Sequence, residues 1–596
     1  MKVKDIILLI FGFAFFTLNS ISFEIVFEDE DIYETVLKYE LTEDKRSYKV
    51  VGITKSSTDD IVIPEIYDGL PVTEIDWNSM KRSTNKNIFI PKTISKIIYQ
   101  FDPYDKDYSD KANTSIKKIE VDLSNPYYYS DDCNVIVEKE THRLIITSPL
   151  STIPSTTKII GSYAFASNKL NGASEIKLPE GIRIIEPYAF YNCSYLKSLS
   201  IPDSVIKIGE GCFTSCDQLS RVDLNCDLIS IEKETFYDCS ALKNINIPST
   251  VIEIKDSAFY SCESLSNIEL PDSVEYIGNY VFGYSGLKEI VLPEKVKVIN
   301  ESLFYKCHEL SNIRLSDSTR IIGKSAFGSC SSLTDLYLPE KIEYIYGGAF
   351  SWCEKLEKIN IPSQTKEIGS EAFSGCKSLK SIDLPDSLTS IGNSAFSGCE
   401  KLKEITIPEG ISKINTRTFQ KCIQLERVYL PENITSIEAS AFDSCEKLEN
   451  IDLPNGITSI GNSAFSKCIS LSSIIIPDSV TKIGARAFMD CVSLKEVVLS
   501  ENLKSIENNV FCGCISLESI LIPSKVEAIR REAFAECESL KVIKIQSETL
   551  SVYSDTFEDS ENIEKIIYYG SESKWNENVE FDDKKLLARV ELIFTE

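Results

Sequence analysis

Apolar residues recur along most of the chain at a fixed spacing. A clean copy of the pattern occupies residues 379–399, where Ile382 and Leu384 are followed by a proline. Residues two apart share one face of a β-strand, so these two side chains point inward and Asp383 points outward. Pro385 has no N–H to donate to a β-ladder, and it ends the strand. The pattern therefore predicts one short strand in every copy.

A phenylalanine marks each copy and gives the period. Of the 17 intervals between these residues, 15 are 23 residues long, one is 25 and one is 22. The landmark phenylalanines are Phe165, Phe190, Phe213, Phe236, Phe259, Phe282, Phe304, Phe327, Phe350, Phe373, Phe396, Phe419, Phe442, Phe465, Phe488, Phe511, Phe534 and Phe557. No single copy can bury its own apolar residues, so the copies must stack into a solenoid.

The repeated unit identifies the kind of solenoid. A period of about 20–29 residues with this apolar core indicates a leucine-rich-repeat solenoid. We expect about 17 repeats of 23 residues after several irregular N-terminal repeats. Each repeat should add one strand to a parallel β-sheet on a concave face and return through short strands and turns.

The consensus I-G-x-x-A-F-x-x-C-x-x-L-x-x-I-x-I-P resembles the BspA-type leucine-rich repeats of secreted and surface proteins. The resemblance covers residues 157–568, and the flanking segments are similar to the family as well. It implies surface display, adhesion to proteins of a host or a neighbouring cell, and antigenicity. The spacing of the residues by itself indicates none of these.

The repeat and its flanking sequences predict four segments in the chain. Residues 1–22 are predicted to be a signal peptide, and residues 23–156 to hold irregular repeats and a hairpin. The hairpin halves are expected at 135–137 and 144–146. The regular array follows at 157–568, and residues 569–596 resemble the C-terminal module of the family and form a cap.

The first segment has the composition of an export signal. Lys2 and Lys4 precede an apolar run at 7–18, and small residues follow at Ser20 and Ser22. The run is shorter than the roughly 20 residues that a membrane-spanning helix needs. We therefore expect a secreted or cell-surface protein without a transmembrane helix after cleavage.

Charge and composition exclude several function classes. The 596 residues include 63 basic and 90 acidic side chains, a net charge of −27 that disfavours nucleic acid as a partner. His142 and His308 are the only histidines, and neither lies in a recognisable nucleophile motif. We therefore predict that the protein is not an enzyme and needs no cofactor or metal.

Cysteine is the one reactive residue type in abundance, with 19 copies. Fifteen of them lie three residues after a landmark phenylalanine: Cys193, Cys216, Cys239, Cys262, Cys307, Cys330, Cys353, Cys376, Cys399, Cys422, Cys445, Cys468, Cys491, Cys514 and Cys537. Stacked positions hold parallel side chains about 4.8 Å apart, whereas a disulfide needs converging Cβ atoms about 3.8 Å apart. We interpret the column as a ladder of buried structural thiols. Scattered disulfides are the alternative, and a metal site is the third reading.

A ligand is expected on the outward strand positions, which line the concave surface of a solenoid. The candidate partner-binding residues are Tyr337, Tyr429, Ile475, Val498, Leu521 and Ile567. Exposed apolar strips mark interaction sites, although β-branched residues also favour strands and the cap could cover them. The predicted function is non-catalytic binding of extracellular or host-surface proteins. The alternative is a surface protein that binds or processes carbohydrate through outward tyrosines and carboxylates.

Overall fold

The computed structural model describes residues 37–53, 59–80, 86–99, 116–166 and 174–595. They belong to two compact units, Met1–Lys158 with Ser167–Asn171, and Ile159–Ala166 with Gly172–Glu596. The signal peptide predicted at residues 1–22 lies outside the described residues. Each unit is built mainly from short β-strands because the apolar residues recur at strand spacing.

The first unit combines an antiparallel edge with irregular coils. Its one described helix is Trp77–Met80. Its described strands are Leu37–Leu41, Tyr48–Ile53, Asp60–Val62, Ile66–Tyr67, Leu70–Asp76, Asn87–Ile90, Lys96–Ile98, Lys118–Val121, Tyr128–Tyr129, Val135–Glu138 and Arg143–Thr147.

The irregular early repeats are present as a three-stranded parallel sheet. Its strands place Ile61, Ile88 and Ile119 in one register, and all three side chains are buried. The hairpin lies between Val135–Glu138 and Arg143–Thr147, which pair antiparallel with a bulge. The first unit therefore repeats the strand stacking of the main array with less regular connections.

The second unit is a stack of coils, each with up to two strands, which we call the front strand and the return strand. The front strands are Glu175–Lys177, Ser198–Ile201, Arg221–Leu224, Asn244–Ile245, Glu289–Val291, Asn312–Arg314, Asp335–Leu336, Lys358–Ile359, Glu404–Thr406, Arg427–Tyr429, Ser473–Ile475, Glu496–Val498, Ser519–Ile522, Val542–Ile545, Lys565–Tyr568 and Glu591–Phe594. The return strands are Ile159–Ile160, Ile184–Ile185, Lys207–Ile208, Ser230–Ile231, Glu253–Ile254, Tyr276–Ile277, Val298–Ile299, Ile321–Ile322, Tyr344–Ile345, Glu367–Ile368, Ser390–Ile391, Lys413–Ile414, Ser436–Ile437, Ser459–Ile460, Lys482–Ile483, Ser505–Ile506, Ala528–Ile529, Leu550–Val552 and Val579–Phe581.

Both sets of strands pair in parallel with the next coil, as expected of a leucine-rich-repeat solenoid. The front strand Glu404–Thr406 pairs with Arg427–Tyr429, with each residue opposite its counterpart 23 positions later. The strand predicted at residues 382–384 differs from expectation, because it forms no front-strand ladder. Ile382 is nevertheless buried and Asp383 exposed, so the predicted faces are kept without the ladder bonds.

The landmark phenylalanines form one continuous stack through the interior. From Phe165 to Phe557 neighbouring ring centroids are 4.9–5.8 Å apart, with ring planes within 17° of parallel. Phe581 continues the stack at 6.2 Å from Phe557. The period did not reveal this last ring, because it follows after 24 residues and outside the repeat consensus. Burial of this unbroken aromatic column helps to hold neighbouring coils together.

The C-terminal segment closes the array with two short helices, Glu572–Asn578 and Lys584–Leu587. Trp575 is buried and meets the ring of Tyr568 edge-on at 5.3 Å. The final strand, Glu591–Phe594, pairs in parallel with Lys565–Tyr568 and continues the front sheet.

Candidate functional site

The central outward residues of the front strands form a line across the coils, here called the outward column. It runs through Lys177, Ser200, Asp223, Asn246, Glu269, Val291, Arg314, Tyr337, Asn360, Asp383, Thr406, Tyr429, Asp452, Ile475, Val498, Leu521, Lys544 and Ile567. Parallel pairing in register places these positions side by side, because their neighbours in the strand point inward.

Four of the six candidate partner-binding residues are exposed in this column. The exposed fraction is 69% for Tyr337, 50% for Tyr429, 68% for Ile475 and 55% for Val498. Ile475 and Val498 lie directly opposite each other on adjacent coils. These two residues therefore form a continuous apolar step on the surface.

Leu521 and Ile567 are only half-exposed, whereas the other four candidate residues are fully in the exposed class. The register places Lys544 between them, and Ile593 of the final strand beyond Ile567. A lysine stem in such a position covers neighbouring apolar side chains. Continuation of the front sheet by the C-terminal strand thus reduces the exposure of this end of the column.

Tyr337 and Tyr429 lie far apart along the outward column. Four coil steps lie between them, each 5.3–5.6 Å measured between phenylalanine rings. The intervening outward residues are Asn360, Asp383 and Thr406, and Asn360 uses its amide on the backbone of the preceding coil at 2.7 and 2.9 Å. A single sugar ring cannot contact both tyrosines, which weakens the carbohydrate alternative at this surface.

A polar groove lies on the front face nearer the start of the array. It has a volume of about 710 Å³ and is lined by carboxylates of Glu269, Glu289 and Glu294, with Arg314 at one wall. An adjoining hollow of about 490 Å³ shares Glu269 and extends over the earlier coils. These openings were not predicted, because no single sequence motif marks a surface that three successive coils build together.

The thiol column lies in the interior and is not part of the outward column. All 19 cysteines are free thiols in the structure, and the 15 column members are buried. Each column thiol donates a hydrogen bond to the carbonyl of the landmark phenylalanine on the preceding coil, at 2.9–3.3 Å. The column therefore supplies a donor for a buried carbonyl in addition to filling space.

Serine takes the place of cysteine at two described positions of the column, and its hydroxyl is also a hydrogen-bond donor. The hydroxyl of Ser560 donates to the carbonyl of Phe534 on the preceding coil at 2.7 Å, as the column thiols do to the phenylalanine before them. The hydroxyl of Ser285 lies 3.3 Å from the sulfur of Cys307. The third exception, Asn168, lies outside the described residues. The occurrence of serine in place of cysteine at this repeat position is the sequence signal for a hydrogen-bond donor.

Burial makes the column thiols hard to ionise. It raises the pKa of Cys353 and of Cys422 from 9.0 to about 12 in each case, because the thiolate would lose its hydration. The same cause raises the pKa of Cys399 well above its usual range, with a further rise from Cys422 and Cys376. These thiols are protonated at neutral pH and are unreactive there.

Two further features of the described ranges bear on function. No helix in them is long and apolar enough to cross a membrane. Among the same residues, no three His, Cys, Asp or Glu side chains are grouped so that they could hold a metal ion.

A stack of coils that presents one exposed line of strand residues is a leucine-rich-repeat solenoid, a class of fold that typically provides a binding surface. The sequence matches the family described as "BspA type Leucine rich repeat region (6 copies)" over residues 147–266, 252–380, 345–472 and 458–586. These ranges overlap and together cover most of the chain. The protein belongs to this BspA-type leucine-rich-repeat family.

Solved bacterial structures resemble the chain at low identity. A leucine-rich repeat protein from Bacteroides ovatus is 20% identical, over 95% of this chain and 100% of that one, with a TM-score of 0.39. A leucine rich cell surface protein from Faecalibacterium prausnitzii is 20% identical, over 92% and 97%, with a TM-score of 0.19. The pneumococcal vaccine antigen PcpA is 17% identical, over 95% and 99%, with a TM-score of 0.21. No curated protein matches the sequence.

Proposed function

We propose that this protein is exported, stays at the cell surface or is released from it, and binds other proteins through its outward column. The proposal rests on the exposed apolar step of Ile475 and Val498 in a column that is otherwise mainly polar. Contiguous exposed apolar side chains mark interaction sites on soluble proteins. Membership of a family with surface proteins among its relatives supports the location.

The outward column offers the parts that protein interfaces use. Ile475 and Val498 supply apolar area, and Tyr337 and Tyr429 supply large side chains with polar tips at a distance. The groove around Glu269 and Glu289 adds negative charge at the other end of the front face. Such charge steers an oppositely charged partner into register and suppresses others. The partner proposed is therefore a protein with an apolar patch and a basic patch.

The same proposal assigns the protein no catalytic activity and no cofactor. Its front face carries carboxylates, amides, tyrosines and aliphatic side chains, and both histidines lie elsewhere, His142 beside the hairpin and His308 on a turn. The column thiols of the array are buried in the interior. Binding alone uses the residues that the front face presents.

Export is tested by the amino terminus of the mature chain. Expression in a bacterial host with an intact secretion system is expected to release a protein that begins at Phe23, because the small residues Ser20 and Ser22 precede that position. Amino-terminal sequencing of the exported fraction checks this. A chain that retains Lys2 and Lys4 in the membrane fraction would contradict cleavage, and a charged substitution within 7–18 should abolish export.

Binding is tested by placing charge on the apolar step. The double variant Ile475→Lys, Val498→Lys is expected to weaken binding to its protein partner at least tenfold, because truncation or charging of a central anchor costs about 2 kcal/mol or more. The measurement is surface binding of the purified protein to a panel of extracellular-matrix proteins, followed by affinity titration of each protein that binds.

The matched control is the double variant Thr389→Lys, Thr435→Lys, which adds the same two charges at exposed positions outside the outward column. It should change affinity less than threefold. Equal losses in the control and the double variant would indicate general electrostatics rather than an apolar anchor. Unchanged affinity in the double variant would remove the outward column as the binding surface.

A further inference from the structure

A second exposed apolar strip lies on the return strands rather than on the front strands. The residue immediately before the return strand is an isoleucine on three successive coils, Ile206, Ile229 and Ile252. Their exposed fractions are 55%, 60% and 39%. Contiguous exposed apolar side chains mark interaction sites, so this strip is a second candidate surface of the array.

The three isoleucines lie on adjacent coils. The backbone amide of Ile252 donates to the carbonyl of Ile229 at 2.9 Å, which joins these two positions directly. The return strands that follow Ile206 and Ile229 belong to separate sheets, but their coils are adjacent through the stacked rings of Phe213 and Phe236. The strip therefore extends over two successive coil steps, which measure 5.4 and 5.3 Å between phenylalanine ring centroids.

Charged residues continue the strip at both ends, and their signs are opposite. In the row of the isoleucines, Arg183 occupies the coil before the strip and Glu275 the coil after it. The neighbouring row holds the first residue of each return strand, which is Lys207, Ser230 and Glu253 on the three isoleucine coils. The two rows over these five coils are here called the return face. Basic residues lie on its earlier coils and acidic residues on its later coils.

Most of this charge is open to a partner. Arg183, Lys207 and Glu275 are exposed, and Glu253 is half-buried. None of the ion pairs that the described residues form includes Arg183, Lys207 or Glu253. Glu275 pairs with Lys295 at 2.7 Å, and both side chains of that pair are more than half exposed. The return face therefore carries charges that a second surface can neutralise.

The return face is complementary to itself when one copy is reversed against another. A two-fold axis along the middle return strand, Ser230–Ile231, reverses the order of the coils and lays each row on the same row of the second copy. Arg183 of one copy then lies opposite Glu275 of the other, and Lys207 lies opposite Glu253. Each of these pairs of opposite charge occurs twice, once on either side of the axis.

The apolar residues match under the same rotation. Ile229 meets its own counterpart at the axis, and Ile206 lies opposite Ile252. At the outer coils the half-buried Ile184 lies opposite Tyr276, whose exposed fraction is 45%. Both the charged and the apolar positions of the return face therefore fit a second copy of the same face.

We propose that two copies of this protein associate through their return faces, with the two arrays antiparallel. Opposite charges on both sides of the axis select this register and disfavour the parallel one, in which like charges would meet. One coil beyond the face, Lys158 and Lys297 would oppose each other, so the complementary surface is limited to five coils. Five coils by two rows bury less than the roughly 800 Å² per copy of a standard stable interface, so the dimer is expected at micromolar concentrations and above. The interface leaves the outward column free and does not rest on the proposed function.

Sedimentation velocity of the purified protein tests the association. A concentration series from about 1 to 200 μM is measured in about 0.15 M salt, because screening limits the repulsion between two copies that each carry a net charge of −27. We expect a reversible equilibrium between monomer and dimer. Ile229→Lys should weaken it at least tenfold, because the added charge at the axis faces its own counterpart. Thr435→Lys, which adds the same charge in the same row outside the return face, should leave it unchanged.

Charge reversal tests the register of the two copies. Lys207→Glu and Glu253→Lys should each weaken the dimer by about threefold or more, because each creates like charges across the interface. The double variant Lys207→Glu, Glu253→Lys restores pairs of opposite charge and should bring the affinity back to within about twofold of the unchanged protein. The Ile475→Lys, Val498→Lys variant of the outward column should dimerise as the unchanged protein does.

Several results would overturn the proposal. One is a protein that stays monomeric throughout the concentration series. A dimer that Ile229→Lys leaves intact would place the contact on another surface, and assemblies that keep growing with concentration would indicate a contact without two-fold closure. Failure of the double charge variant to recover the affinity lost in the single variants would exclude the antiparallel register.

Discussion

Replacing Phe396 with alanine is expected to lower the free energy of unfolding by about 3–5 kcal/mol, the range for removal of a buried aromatic ring. Phe396 is fully buried, and its ring centroid is 5.6 Å from those of both Phe373 and Phe419. The variant loses both ring contacts and leaves a cavity that the neighbouring coils cannot fill. Because each coil is stabilised by its neighbours, the loss should also weaken the interfaces on either side.

Urea denaturation followed by circular dichroism measures this loss. The matched control is Asp383→Ala in the same repeat, where the side chain is exposed, and its cost should stay below about 0.5 kcal/mol. A second transition at lower urea is expected in Phe396→Ala, since a weakened interface can divide a stacked array. Similar costs at the two positions would mean that the ring stack does not hold the coils together.

The stability of the array is expected to fall steeply in alkali, starting near pH 9. The unfolded chain gives up its thiol protons around pKa 9.0, whereas Cys353 and Cys422 keep theirs in the folded state to about 12. Between these values unfolding releases protons, so stability decreases as the pH rises. Each such thiol contributes a loss of about 1.4 kcal/mol per pH unit. The stabilisation is complete below pH 9 and is lost as the pH approaches 12.

The double variant Cys353→Ser, Cys422→Ser tests the cause. A hydroxyl does not ionise in this range, and Ser560 shows that serine can donate the same hydrogen bond. Urea midpoints at pH 7, 9, 10 and 11 should therefore decline less steeply in the variant than in the unchanged protein. Identical slopes would assign the alkaline loss to other groups, such as Tyr260, whose pKa burial raises to about 12.

The predicted loss of stability in alkali requires free thiols. Counting the free thiols distinguishes the thiol ladder from the alternative of scattered disulfides. Protein exported through its native route is denatured with and without prior reductant, and accessible thiols are titrated with a coloured disulfide reagent. Most of the 19 should react without reductant, and few should react before denaturation. If nearly all appear only after reduction, the column is bridged and the alkaline prediction fails with it.

The period of the sequence was sufficient to predict the coils and their interior. A residue such as Phe396 or Cys399 has the same neighbours as its counterparts 23 residues away, so one copy explains the rest. Hydrogen bonding of the front strands was less predictable: residues 382–384 have the strand pattern but form no ladder. Inward and outward positions follow from side-chain pattern alone, whereas ladder bonds depend on how closely two backbones approach.

The surface was only partly predictable for a related reason. Exposure of Ile475 and Val498 follows from their position in one strand, but that of Leu521 depends on Lys544 of the next coil. The position of the Trp352 ring likewise depends on Gly375 one coil further on. Such sites are assembled from several copies, and reading down a single column of the repeat does not reveal them.

The uniform ring stack has a consequence for how the gene can change. Every coil between Phe304 and Phe557 presents the same ring and the same carbonyl acceptor to its neighbour, so recombination that removes 69 nucleotides would join two surfaces that already match. The array can therefore change length in single steps without a new core. At Trp352 the tolerance is limited: loss of one following coil would bring Gly398 beneath the indole, and loss of two would bring Lys421. Length variants at that point are expected to stop at one coil.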